Sequence, residues 1–180
     1  MNNRENLKKE IIEFIKSDNE KIMLITGTHQ YEKHIEVLRT LNQNVKDGVK
    51  VLFRLNGKDN IDSIFQHKLK SEKLNTKIKV GQLKLYIDTI NKKSWKGEKY
   101  NVSILYPVDS ICRKKAEQRK EILDDLIKNT ANKVFIVSWT DSYDYSWLDE
   151  FRIDRKVVFD AEEEDQAYHR RVLDNINRFK

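Results

Sequence analysis

The stretch that decides the fold is Lys21-Ile-Met-Leu-Ile-Thr-Gly-Thr-His-Gln-Tyr-Glu-Lys-His34. A short apolar run comes first, Gly27 follows it, and Lys33 stands where a helical pattern begins. The run predicts a buried strand, and the glycine predicts a sharp turn whose backbone conformation residues with a Cβ avoid. These features bring backbone N–H groups and a lysine to a helix N-terminus, a place that suits the phosphates of a nucleotide.

Short apolar runs recur along the rest of the chain. They predict strands over residues 22–25, 49–55, 102–106, 134–137 and 157–159. Amphipathic spacing predicts helices over residues 4–17, 31–41, 61–70 and 116–127, and a last helix whose first turn carries the acidic residues 162–165. Between residues 78 and 100 the apolar spacing shifts from alternation to a helical period, so strand and helix both stay open there.

This alternation of helices and strands defines the expected fold. The predicted strands are apolar and rich in β-branched residues, as a sheet buried on both faces requires. We therefore predict a single α/β domain over residues 1–180, with a mainly parallel sheet and helices on both faces.

Composition narrows the class of protein. Charged residues make up 36% of the chain, against roughly 25% in an average domain. The single cysteine, Cys112, excludes an internal disulfide and favours a reducing compartment. No apolar run approaches the roughly 18 residues of a membrane span. A cytoplasmic protein that does not bind a membrane is expected.

Lysines dominate the net charge of +6. The most basic region has lysines at positions 68, 70, 73, 77, 79, 84, 92, 93, 96 and 99. Such a region either contacts a nucleic-acid backbone or anionic lipid, or forms an ordinary solvated surface.

The order of these elements resembles the core of a P-loop NTPase, in particular the AAA+-like ATPases. Gly27 stands where that family has its phosphate-binding loop. Residues 100–110 stand where it has a strand and a magnesium-binding acid, here Asp109. Residues 134–141 resemble the strand that leads to a polar sensor residue. The resemblance covers about residues 5–175 and implies a three-layer sandwich.

The family's phosphate-binding motif, G-x-x-x-x-G-K-[ST], is degenerate here. Glu32 replaces the second glycine, and His34 replaces the hydroxyl residue that binds magnesium. Glutamate adds bulk and negative charge beside a triphosphate, and imidazole is a poor ligand for magnesium. The resemblance thus implies no required cofactor, no identified catalytic residue and only weak nucleotide binding, through Gly27, Thr28, Lys33 and Asp109.

Two further kinds of site are a metal site and the active site of a metal-dependent nuclease. The histidines and Cys112 show no spacing typical of a metal site, so no metal is expected. Asp149 and the triplet Asp154-Arg-Lys156 match the acid and D-x-K layout of metal-dependent nucleases, which dense charge also produces by chance.

An aromatic cluster follows the fourth predicted strand and consists of Trp139, Tyr143, Tyr145 and Trp147. Ligands of open parallel sheets bind at this carboxyl edge, so the cluster either contacts a partner or anchors the loop in the core. Our main hypothesis is a non-catalytic subunit that binds a protein partner through this loop and through the helix at residues 4–17. The alternatives are a nucleic-acid-binding protein or nuclease, and a weak ATPase.

Overall fold

The computed structural model describes residues 2–66, 76–91 and 98–178. The strands are β1 (Ile22–Thr26), β2 (Val49–Leu55), β3 (Lys77–Val80), β4 (Leu83–Thr89), β5 (Tyr100–Leu105), β6 (Thr130–Val137) and β7 (Arg155–Val158). The helices are α1 (Arg4–Lys16), α2 (Lys33–Asn44), α3 (Ile61–Ile64), α4 (Asp109–Cys112), α5 (Ala116–Lys128) and α6 (Gln166–Arg178). Short 3-10 helices run over Lys58–Asn60 and Ser146–Phe151.

The strands form one sheet in the order β3-β4-β2-β5-β6-β1-β7. Every neighbouring pair is parallel except β3 and β4, which are antiparallel. Parallel neighbours need crossover connections, and the helices between the strands supply them.

Helices cover both faces of this sheet. Apolar side chains of α1, α2 and α3 join one hydrophobic cluster, and those of α4 and α5 join the other. Successive residues of β1 alternate between the two clusters: Met23 and Ile25 belong to the first, Ile22 and Leu24 to the second. Because both faces are covered, each of these positions must be apolar, which explains the unbroken apolar run in the sequence.

The α/β class and the mostly parallel sheet are confirmed. All five predicted strands lie in this sheet, and each observed end falls within four residues of the predicted one. The stretch left open in the sequence contributes β3 and β4, which extend the sheet on one side. Of the ten lysines in the basic region, those at positions 68, 70, 73, 92, 93 and 96 lie outside the described residues.

Two helix predictions need correction. Of the helix expected over residues 61–70, residues 67–70 lie outside the described part of the chain. Before that point α3 ends at Ile64, and Gln66 takes a positive φ of 51°, which interrupts a helix. The acidic residues 162–165 precede α6, which begins at Gln166. The Asp165 carboxylate accepts the Tyr168 N–H at 2.9 Å, so it caps the helix from outside.

The helix near the N-terminus is correctly located, but its apolar face is not available to a partner. Leu7, Ile11 and Phe14 are fully buried against the sheet, and the Phe14 ring meets Phe135 edge-on at 5.2 Å. This face belongs to the core of the domain. None of the described helices is long and apolar enough to cross a membrane.

Candidate functional site

The topology places a candidate site at the carboxyl edge of the sheet. β1 and β6 are neighbours, but the chain leaves β1 toward β2 on one side and leaves β6 toward β7 on the other. Such a reversal opens a crevice outside the strand ends, where ligands of open α/β sheets bind. Two segments line this crevice. They are the turn after β1 and the loop after β6 that carries the predicted aromatic residues, here called the aromatic loop (residues 139–151).

Gly27 ends β1 in a conformation that only glycine adopts readily, with a φ of +112°. A Cβ at this position would lie 2.1 Å from the Phe159 carbonyl oxygen, so the backbone after β7 runs directly against the turn. The positive φ is the conformation that the turn in the sequence predicts. The Gly27 N–H points at Asp141, whose carboxylate oxygens accept it at 2.9 and 2.8 Å.

Lys33 begins α2 and is fully buried. Its ammonium group donates to the Gly27 carbonyl oxygen and, at 3.0 Å, to the Trp139 carbonyl oxygen. Burial lowers the pKa of Lys33 to about 8, and the carboxylates of Asp141, Asp109 and Asp160 oppose that shift. The lysine therefore ties the turn after β1 to the end of β6.

Within this arrangement the protein supplies its own anion. The Asp141 carboxylate binds the Gly27 N–H, the group that would contact a phosphate at such a turn. The Lys33 amine, which would contact the same phosphate, binds two backbone carbonyls instead. Glu32 adds another carboxylate at the start of α2, where Arg4 binds it at 3.1 Å. An incoming triphosphate would meet these negative charges and would have to displace Asp141.

Thr28 connects the same turn to the chain that leads into α6. Its N–H donates to the Asp160 carboxylate at 3.0 Å, and its hydroxyl accepts the Ala161 N–H at 3.1 Å. The hydroxyl also shares a hydrogen bond of 2.7 Å with His169 Nδ1. These contacts give Thr28 a connecting role within the protein.

An arginine near the N-terminus gathers the carboxylates around the turn. Arg4 pairs with Glu164 at 2.7 Å, with the fully buried Glu36 at 2.9 Å and with Glu32. His29 Nε2 lies 2.9 Å from the second Glu164 oxygen. The hydrogen bonds from Arg4 hold the pKa of Glu164 at about 2.

Asp109 organises the aromatic loop. Its carboxylate accepts the Trp139 N–H at 2.7 Å, the Thr140 N–H at 3.2 Å and the Tyr145 hydroxyl at 3.1 Å. Burial raises the pKa of Asp109 above its ordinary value. All these partners belong to the aromatic loop, so the acid that the resemblance assigns to magnesium shapes that loop here.

The four predicted aromatic residues have different contacts. Trp139 is 38% exposed and meets Tyr31, which is 43% exposed, at 5.9 Å between ring centroids. Trp147 is half-buried beneath the Arg119 guanidinium at 4.6 Å, and Tyr143 lies beneath Arg113 at 5.5 Å. The Tyr145 hydroxyl is engaged with Asp109. Trp139 is thus paired with Tyr31, a residue that the sequence analysis did not select.

Trp139 and Tyr31 border a notch of about 20 Å³. Its remaining lining is uncharged and comes from the end of β2, from the 3-10 helix and α3 that follow it, and from the end of β5: Asn56, Asn60, Ser63, Ile64, Tyr106 and Pro107. A notch of this size holds about one small group, whereas small-molecule sites are roughly 300–1,000 Å³. A second cleft, of about 770 Å³, lies between the end of β2 and α5. There the buried Arg54 pairs with Asp125 at 2.7 Å.

The contacts of His34 and the thiol state of Cys112 indicate structural roles for both residues. His34 is fully buried, stacks on Tyr106 at 3.9 Å and bonds the Ile64 carbonyl oxygen through Nε2 at 2.6 Å. Burial lowers the pKa of His34 to about 4, so it is neutral in the core. Burial also raises the pKa of Cys112 to about 11, which leaves it a thiol at neutral pH.

Two of the three residues of the nuclease hypothesis are in contact. Lys156 pairs with Asp149 at 2.7 Å. Asp154 instead accepts the N–H groups of Lys21 and Ile22 at 2.7 and 2.8 Å, at the amino end of β1. Across the described residues, no group of three or more His, Cys, Asp or Glu side chains is arranged to hold a metal ion. Each of the three residues thus has a partner within the protein, and the nuclease hypothesis stays a prediction.

Several members of this site carry little signal in the sequence. Arg4 and Glu164 lie at opposite ends of the chain, and no local pattern links them. The position of Asp160 could be predicted, because Asp160 directly follows the last predicted strand and the ends of parallel strands meet at the carboxyl edge of the sheet. The family resemblance pointed to Asp141, but nothing in the sequence indicated that Asp141 accepts a hydrogen bond from the Gly27 N–H.

No model of a protein family matches this chain, and no curated protein matches it. The site is therefore interpreted from its own geometry.

Replacing Gly27 with alanine tests the close approach to Phe159. We expect Gly27→Ala to lower the free energy of unfolding by at least about 2 kcal/mol, because the positive φ and the blocked Cβ position both add strain. Gly57→Ala is the matched control, since Gly57 is extended and its nearest atom would lie 3.9 Å away. That control should stay within about 0.5 kcal/mol of the wild type in urea denaturation. Equal stabilities for the two variants would contradict this description of the turn.

The Arg4 cluster predicts a particular loss of stability in acid. The folded-state pKa of Glu164, about 2, lies below its ordinary value of 4.5. Its contribution is therefore complete above about pH 4.5 and is lost as the pH falls toward 2. Arg4→Gln should cost about 1–3 kcal/mol at pH 7, and its stability should converge on that of the wild type as the pH falls.

Urea denaturation at a series of pH values between 7 and 3 measures this effect. Lys8→Gln is the control on the same helix, because the ion pair of Lys8 within the described residues is with the exposed Glu5. It should keep the wild-type pH dependence. Parallel curves for Arg4→Gln and the wild type would show that the cluster is not coupled to Glu164.

Proposed function

We propose that this chain is a non-catalytic α/β module with a P-loop-like frame, and that it serves as a protein-binding subunit of a larger cytoplasmic assembly. One observation carries the proposal. The two groups best placed to bind a phosphate, the Gly27 N–H and the Lys33 amine, are bound to Asp141 and to backbone carbonyls. On this proposal the frame works without nucleotide.

The P-loop-like frame is supported by the local order of elements. A buried strand, a glycine turn and a helix that begins with a lysine follow one another at the reversal point of a mostly parallel sheet. Glu32 and His34 occupy the positions where the family motif has glycine and a hydroxyl residue, and here they bind Arg4 and the Ile64 carbonyl. These substitutions support a stabilising role in place of a catalytic one.

The notch between Tyr31 and Trp139 is the surface proposed for the partner. Exposed aromatic side chains with neighbouring amides are typical of the residues that dominate protein interfaces. The notch is too small for a nucleotide, and its lining carries no charged side chain among the described residues. We therefore propose that it receives a small uncharged apolar group of a protein partner, which packs beside the exposed Tyr31 and Trp139 rings.

Calorimetry with ATP and magnesium at millimolar concentration tests independence from nucleotide. We expect no binding heat and no phosphate release from the wild type, because the anion position is filled by Asp141. Asp141→Ala leaves the Gly27 N–H without that acceptor, and weak binding of inorganic tripolyphosphate should then appear. ATP binding by the wild type, with turnover that is lost in Lys33→Ala, would identify a weak ATPase and refute the proposal.

Quantitative co-purification tests the proposed partner surface. Proteins recovered with the tagged wild type should fall on the order of tenfold with Trp139→Ala or Tyr31→Ala. Leu173→Ala is the matched control, because Leu173 is 39% exposed on α6 and lies outside the notch. Thermal melting should show that all three variants are folded. The same proteins recovered in equal amounts by Trp139→Ala and Leu173→Ala would rule out the notch.

A further inference from the structure

The register of the sheet places three lysines side by side on neighbouring strands. Lys50 of β2 is opposite Lys84 of β4, and Lys84 is opposite Lys79 of β3. Adjacent strands are about 4.8 Å apart, so the three residues form a straight row across the edge of the sheet. We call Lys50, Lys84 and Lys79 the lysine row.

The lysine row lies on the face opposite the first hydrophobic cluster. Side chains alternate along a strand, and the neighbours of these lysines, among them Val51, Leu85 and Ile78, pack with that cluster. Lys84 is exposed and the Lys79 side chain is 69% exposed. Of the helices on this face, α5 packs against β6, three strands away from β4.

Like charges directly opposite one another destabilise a sheet. Two carboxylates relieve part of this repulsion: Asp47 pairs with Lys79 at 3.5 Å, and Glu98 pairs with the adjacent Lys77 at 3.1 Å. Lys84, in the middle of the row, has no ion pair with any residue in the described part of the chain. An external anion that spans the row would relieve the remaining repulsion.

We propose that the lysine row binds the sugar–phosphate backbone of a nucleic acid. A phosphate backbone is a regular line of negative charge, and lysines bind it without reading sequence. Binding to an anionic membrane fits less well, because peripheral attachment also buries exposed apolar side chains. The nearby exposed apolar residue, Val80, is opposite Leu83, which packs with the first cluster on the other face.

Fluorescence anisotropy with a labelled duplex of arbitrary sequence, about 20 base pairs long, tests this proposal over a salt series from about 25 to 200 mM. We expect the wild type to bind at low salt and to release the duplex as salt rises. The triple variant Lys50→Gln/Lys79→Gln/Lys84→Gln should bind at least tenfold more weakly. The slope of log affinity against log salt should become shallower by roughly 2–3, since each phosphate contact contributes about 0.9.

The matched control removes the same charge from α1, in Lys8→Gln/Lys9→Gln/Lys16→Gln. It should keep most of the wild-type affinity, because α1 packs on the opposite face. Lys84→Gln alone removes the central charge and should flatten the slope by about 1 without lowering the melting temperature. This single variant provides a test that does not depend on the folding of the triple variant.

Three results would overturn the proposal. The first is no duplex binding at the lowest salt, and the second is an equal loss of affinity in the triple variant and the α1 control. The third is tighter binding to phosphatidylserine vesicles or to polyglutamate than to the duplex, which would assign the row to a membrane or to an acidic protein. None of these results bears on nucleotide independence or on the Trp139 notch, so the two proposals fail separately.

Discussion

The site depends on one buried ammonium group. Lys33 is completely enclosed, and a buried charge is tolerated only when it is paired and hydrogen-bonded. Two backbone carbonyls supply the hydrogen bonds, and carboxylates nearby, those of Asp141 and Asp109, supply the compensating charge. Because the two carbonyls belong to the ends of β1 and β6, satisfying the lysine also fixes the positions of the turn and of the aromatic loop. The carboxyl edge is therefore organised around a cation that the protein itself neutralises.

On the proposed function, this arrangement explains how a P-loop-like frame can persist without a bound phosphate. The turn still presents a backbone N–H, and the helix still begins with a lysine, so the electrostatic demand for an anion remains. Asp141 meets that demand from within the chain. Asp141 belongs to the same chain and the fold brings it to the turn, so this contact needs no nucleotide in solution.

The sequence predicted the strands well because a strand buried on both faces must be apolar at every position, and that signal is local. It also predicted the positive φ of Gly27, because glycine is the residue that most readily adopts a positive φ in a sharp turn between a strand and a helix. It could not predict the partners of Arg4, because Glu164 is 160 residues away and any exposed acid would match equally well. The length of α3 was overestimated, because amphipathic spacing does not show where the tertiary packing that supports a helix ends. The pairing of Trp139 with Tyr31 depends on two loops that meet only after the sheet has formed.

The place of β1 in the sheet has a consequence for synthesis of the protein. Its two neighbours, β6 and β7, are the last strands of the chain, so residues 22–26 are made early and paired late. Until residue 137 has left the ribosome, this strongly apolar segment has no lateral partner from β6. Until residue 159 has followed, Gly27 also lacks the Phe159 backbone that it packs against. The segment that contains α1, β1 and α2 must therefore remain soluble until β6 and β7 have been synthesised. The many charged residues of α1 and α2, on either side of β1, provide that solubility during elongation.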